Sequence, residues 1–167
     1  RNPDLLLTRI RLLNKSETGM LSYDDVAFAL EKFPSDPVIL SIAARRALQN
    51  GDFKEMLELT RRNLAAGNPE LETKLQEITA LENLGRVDEA AAKFAVLRAA
   101  APGQIELFKR QLSFAIRHNR PELLQMLLRE TLGSPQPQIR ALSFLPEAEL
   151  AFRAGKTKEG IDLLTSR

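Results

Sequence analysis

An all-α fold built from repeated helical hairpins is predicted by three observations. Gly51, Gly85 and Asn119 recur at intervals of 34 residues, Gly155 follows 36 residues later, and a looser early copy puts Gly19 32 residues before Gly51. Apolar residues recur at helical spacing on both sides of these positions, and segments rich in Pro and Gly separate one pair from the next. Self-similarity at such a period signals supersecondary units that bury their faces only by stacking. About five units result, near residues 1–36, 37–70, 71–104, 105–138 and 139–167, all in one segment.

The opening helix, NPDLLLTRIRLL, begins well on Asn2 and Pro3 and presents Leu5, Leu6, Leu7, Ile10, Leu12 and Leu13. That is more apolar surface than one neighbouring pair can cover. Ser22 followed by Asp25 marks the start of the next helix. In the second unit Leu40, Ala43, Ala44 and Ala47 precede Gly51, while Phe53, Met56, Leu57 and Leu64 follow it, with Asp52 and Glu55 spaced as a capping box. The Gly or Asn is expected to end one helix in the left-handed conformation, which costs glycine nothing and asparagine little.

In the third unit Asp88 and Glu89 place negative charge in a first turn, and in the fourth Pro121 suits a first helical position. In the fifth, Pro146 falls inside an apolar stretch, which predicts a kink or a late helix start. The closing KEGIDLLTSR is shorter than the second helices of the middle units, and Gly160 weakens it. Breaks between units fall at FPSDP (33–37), AAGNPE (65–70), APGQ (101–104) and LGSPQPQ (132–138). With neither end polar, the chain is expected to be an internal segment of a longer array with sticky ends.

These hairpins resemble the tetratricopeptide repeat family. In the best copy, Leu71 to Gln104, Gly85 stands at the family's turn glycine, Ala90 and Phe94 at its second-helix small and aromatic residues, and Pro102 at its closing proline. The first-helix bulky aromatic is met only by Leu40, Phe108 and Phe144, and Lys74 holds that place in the best copy. The resemblance implies a right-handed α-solenoid of about five helix-turn-helix repeats, with the first helix of each pair lining a concave side.

Composition limits the chemistry. Lys and Arg number 24 against 22 for Asp and Glu, a net charge of +2, so no strong positive field calls for nucleic acid. The absence of Cys excludes thiolate zinc sites, disulfides and cysteine nucleophiles. No apolar run is long enough to span a bilayer, so no membrane contact is expected from this segment. The one His, His118, precedes Asn119 at a helix end, where a cation meets the last carbonyls. Asp24 with Asp25 and Asp88 with Glu89 read as first-turn charges rather than a catalytic pair. No phosphate loop, nucleophile elbow or zinc motif occurs, so neither enzyme activity, cofactor nor metal is expected. Tyr23, the only Tyr, shares its place with Phe53 and Val87 and reads as packing. Arg45, Arg46, Arg61, Arg62, Lys109, Arg110, Arg117 and Arg120 are interleaved with Glu55, Glu58, Glu72, Glu77, Glu82 and Glu106, which reads as a solvated face laced with ion pairs.

What remains is a binding surface. The resemblance assigns the concave positions to Ser41, Arg45 and Gln49, then Glu72, Leu75, Thr79, Glu82 and Asn83, then Lys109, Ser113 and Arg117. The family's Lys/Asn grip on a terminal carboxylate has no counterpart here. The expected function is a protein–protein interaction scaffold that docks another protein in its groove. In style the degenerate, Ala/Leu/Arg-rich repeats resemble the periplasmic repeat regions of bacterial exopolysaccharide export proteins of the Pel or cellulose type, which precede an outer-membrane barrel. That resemblance implies a periplasmic setting with a polysaccharide-modifying enzyme or the polysaccharide itself as partner. A cytoplasmic module of a regulator or assembly factor is the alternative, and direct carbohydrate binding a third, which nine aromatics scarcely supply.

Overall fold

The computed structural model describes residues 22–68 and 70–166 together with Leu5, Leu7, Thr8 and Ile10, which are helical. No strand occurs among them. Most of them belong to helices: α1 (Tyr23–Lys32), α2 (Pro37–Gln49), α3 (Phe53–Ala65), α4 (Leu71–Asn83), α5 (Val87–Ala100), α6 (Ile105–Arg117), α7 (Pro121–Gly133), the single turn α8 (Pro137–Arg140), α9 (Phe144–Arg153) and α10 (Thr157–Thr165). The pairs α2/α3, α4/α5, α6/α7 and α9/α10 fall where the repeat spacing predicts them. Gly19 and most of the opening helix lie outside the described residues, as does the side chain of Tyr23.

The within-pair turns are copies of one another. Gly51, Gly85, Asn119 and Gly155 have φ of 72°, 74°, 51° and 75°. The residue after each one donates its N–H back five positions, Asp52 to Ala47, Arg86 to Leu81, Arg120 to Ala115 and Lys156 to Ala151, at 2.9 Å every time. This bond and the left-handed residue are the parts of a Schellman turn, which satisfies carbonyls that a helix end would leave orphaned. The acceptors Ala47, Leu81, Ala115 and Ala151 are all buried, so the turn forms where water could not replace it. Asn119 is the one non-glycine at positive φ among the described residues, and its Oδ1 accepts from Arg153 Nη1.

Helix starts are also as the sequence predicts. Ser22 Oγ accepts from Asp25 N at 3.1 Å, Asp52 Oδ1 accepts from Glu55 N at 3.0 Å, and Pro121 opens α7. Asp36 adds a cap not anticipated, its Oδ1 accepting from Val38 N at 2.9 Å and Ile39 N at 3.2 Å. Pro146 is the third residue of α9, where its missing N–H breaks no helical bond, so the proline produces a late start rather than a kink. Gly160 does more than weaken α10. It is buried, and a Cβ there would come within 2.5 Å of the Phe152 ring, so glycine makes room for α9.

The chain divides into two compact units, Arg1–Lys93 and Phe94–Arg167, with the division inside α5. In the first, α1 packs on α2, α2 on α3 and α4, and α3 on α4. Ile10, Ala29 and Ile39 form one core there, backed by Phe28, Leu30 and Ile42. In the second, α6 packs on α7, α7 on α8 and α9, and α9 on α10. Its core joins Phe108, Leu112 and Ala115 of α6 to Leu124 and Leu127 of α7. Each such fully buried large side chain contributes about 1.5–3 kcal/mol. Residues of different size are buried at matching places: Ala44, Ile78, Leu112 and Ala148 in one register, Met56, Ala90, Leu124 and Gly160 in another.

Candidate functional site

The first helices carry polar stripes at helical spacing. Ser41, Arg45 and Gln49 stand four residues apart on α2, and Thr79 and Asn83 continue the pattern on α4. In the second unit Lys109, Ser113 and Arg117 repeat it on α6. Arg45, Gln49, Glu72, Asn83, Lys109, Ser113 and Arg117 are exposed, whereas Ser41, Thr79 and Glu82 are half-buried. Leu75, expected on the same stripe, is 4% exposed and belongs to the core. Its place matches Ser41 and Lys109, but an apolar side chain gains by leaving water where a hydroxyl or ammonium does not. On α4 two donors are spent locally: Thr79 Oγ1 donates to the Leu75 carbonyl at 2.9 Å, and Asn83 Nδ2 to the Thr79 carbonyl at 2.8 Å.

In the first unit the structure gathers Ser41, Arg45 and Glu72 around one cavity of about 330 Å³. Pro37 and Val38 at the start of α2 form its apolar side, and Asn68, Glu70 and Gln76 complete its polar one. Gly67, with φ of 85°, and a bond from Asn68 N to the Asn63 carbonyl at 3.2 Å set the α3–α4 turn that presents Asn68 and Glu70. Behind the wall, buried Asn63 donates from Nδ2 to Ser41 Oγ at 2.8 Å.

A charge cluster in the same unit was misjudged from sequence. Glu77 is 3% exposed, not on a solvated face, and is held by Arg61 Nε at 3.1 Å and Lys93 Nζ at 2.8 Å. A carboxylate out of water requires such partners. Two cations from α3 and α5 on one carboxylate of α4 thus tie three helices together. Arg61 also reaches Glu89 at 3.8 Å. The hydrogen bonds from Arg86 hold the Glu89 carboxyl below its usual value, and the same pair raises Arg86. A comparable tie in the second unit is Arg98, 8% exposed, which donates to Glu130 at 2.7 Å and lies over the Phe108 ring at 5.5 Å.

The register of the repeats could have flagged Glu77, because its counterparts are Ala43 and Gln111, both buried. Neither Arg98 nor Gln76 carries any such signal beyond helical position. His118 caps α6 as expected, its ring 4.8 Å from that of Phe114. Among the described residues there is no group of three His, Cys, Asp or Glu that could hold a metal ion, and no helix long and apolar enough to cross a membrane. Comparison with family models, curated proteins and solved structures returns no match.

Proposed function

We propose that this chain is an interaction scaffold, a right-handed stack of tetratricopeptide-like hairpins that docks another protein against the first-helix stripes. The observation that carries this reading is the polar stripe that recurs at equivalent places, Ser41, Arg45 and Gln49 on α2 and Lys109, Ser113 and Arg117 on α6, with side chains at the surface in both units. Packing between helices does not require charged and amide side chains there. The turn repeated at Gly51, Gly85, Asn119 and Gly155 supports the repeat assignment. The exopolysaccharide-export setting is supported by the style of the repeats alone.

The test is a partner isolated by affinity capture and then titrated against variants. Arg45→Glu, Lys109→Glu and Arg117→Glu are expected to weaken binding more than Arg129→Glu on α7, chiefly through a slower, salt-sensitive association rate. Arg61 is unsuitable as the control because it holds Glu77. Loss of binding from Arg129→Glu alone overturns the stripe model.

A further inference from the structure

The cavity on the first unit is built rather than incidental. Its volume of about 330 Å³ falls at the lower end of the roughly 300–1,000 Å³ of ligand sites. Gln76 is 8% exposed, yet its carboxamide makes no hydrogen bond among the described residues. Its amide lines the cavity, so its donors and acceptor face the space and are open to a bound group. Because Ser41 Oγ already accepts from Asn63, its own proton is left to donate into the space.

We propose that this cavity binds an extended peptide segment carrying a basic side chain, a reading that rests on the scaffold function and names what the scaffold grips. The carboxamides of Asn68 and Gln76 each offer one acceptor and a donor pair, the complement of a main-chain amide. Glu70 and Glu72 make no ion pair among the described residues, and they outnumber Arg45, so the local charge favours an ammonium or guanidinium group. Arg45, likewise unpaired among the described residues, stands ready to donate to a main-chain carbonyl. Among the described residues no aromatic side chain lines the cavity to stack on a sugar ring or a base.

The test uses the full chain, isotopically labelled, with three probes: acetyl-Gly-Lys-Gly-amide, its Glu counterpart, and an uncharged disaccharide. The Lys peptide is expected to shift the side-chain amide signals of Asn68 and Gln76, and the Glu peptide to leave them in place. Combining Glu70→Gln with Glu72→Gln, both on exposed residues at the start of α4, is expected to weaken the Lys peptide by roughly tenfold while lowering the melting midpoint only slightly, through the lost first-turn charge. A stronger shift from the disaccharide, or Lys-peptide binding undiminished in the double variant, overturns the proposal. A captured partner separates the two readings. If Lys109→Glu and Arg117→Glu release it and the double variant does not, the cavity falls and the scaffold stands. If none of them releases it, both fall.

Discussion

The helices α3 and α10 hold equivalent places after Gly51 and Gly155, yet they differ in what covers them. On α3, Leu57 is 6% exposed and Thr60 0%, whereas their counterparts on α10, Ile161 and Leu164, are 50% and 46% exposed. The turn that launches each helix is the same, down to a closing bond of 2.9 Å. The difference therefore arises from neighbours. Within its unit α3 lies between α2 and α4, and α10 packs on α9. A hairpin's local signals specify its shape, and its neighbours supply most of its stability.

The largest expected effect tests this directly. Met56→Ala removes a side chain that is 0% exposed on α3 and is expected to cost about 2–5 kcal/mol. Ile161→Ala on α10 is expected to cost less than about 1 kcal/mol, since half of that side chain already meets water. Denaturant melts of the two variants check it, and equal losses break the comparison.

Next comes the tie that α3 has and that, among the described residues, α10 does not. Glu77→Gln removes the carboxylate that Arg61 and Lys93 share. Both cations are 45% exposed and can rehydrate, so the expected loss is about 1–2 kcal/mol rather than the larger cost of stranding a buried charge. A melt at neutral pH measures it. An unchanged midpoint means the cluster contributes orientation only.

A smaller effect belongs to the turns. Gly85→Val is expected to cost more than about 1 kcal/mol, because a β-branched residue is strained at a φ of 74°. Asn119→Gly is expected to be near neutral, the relief of backbone strain offsetting the loss of the Arg153 contact. Equal effects in a denaturant melt contradict the claim that the two turns are copies differing only in side chain.

The smallest concerns protonation. Arg86 and Glu89 pair at 2.6 Å just after one turn, and Lys156 and Glu159 hold the equivalent places at 3.2 Å after another. The folded Glu89 titrates below its usual value because Arg86 hydrogen-bonds the ionised form. The stability it contributes is present above the ordinary carboxylate range and is lost as pH falls through the lowered folded value. Arg86→Ala is expected to move the Glu89 titration upward, as read by side-chain carbonyl NMR. An unmoved titration sinks the assignment of cause.

Much of the fold was legible because the signals are local. A left-handed turn demands Gly or Asn, a helix start demands Ser, Asp or Pro, and each announces itself in a few residues. Pro146 announced a kink or a late start for the same reason, and its place as the third residue of α9 settles on the late start. The site was legible only in part. The stripe residues followed from helical spacing, but Leu75 shares that spacing and folds inward. Glu77 looks like any surface glutamate beside Gln76, and its burial depends on Arg61 and Lys93, sixteen residues away on either side. Long-range pairing of that kind leaves no local trace. It shows only when the copies are aligned and Glu77 falls beside Ala43 and Gln111.

Native-state hydrogen exchange on the Leu57 and Ile161 amides tests the central claim most directly, since both occupy the same place in a copied hairpin. If neighbours rather than local sequence set stability, the Leu57 amide is expected to exchange at least about 100-fold more slowly than that of Ile161. Equal protection at the two amides would contradict the account.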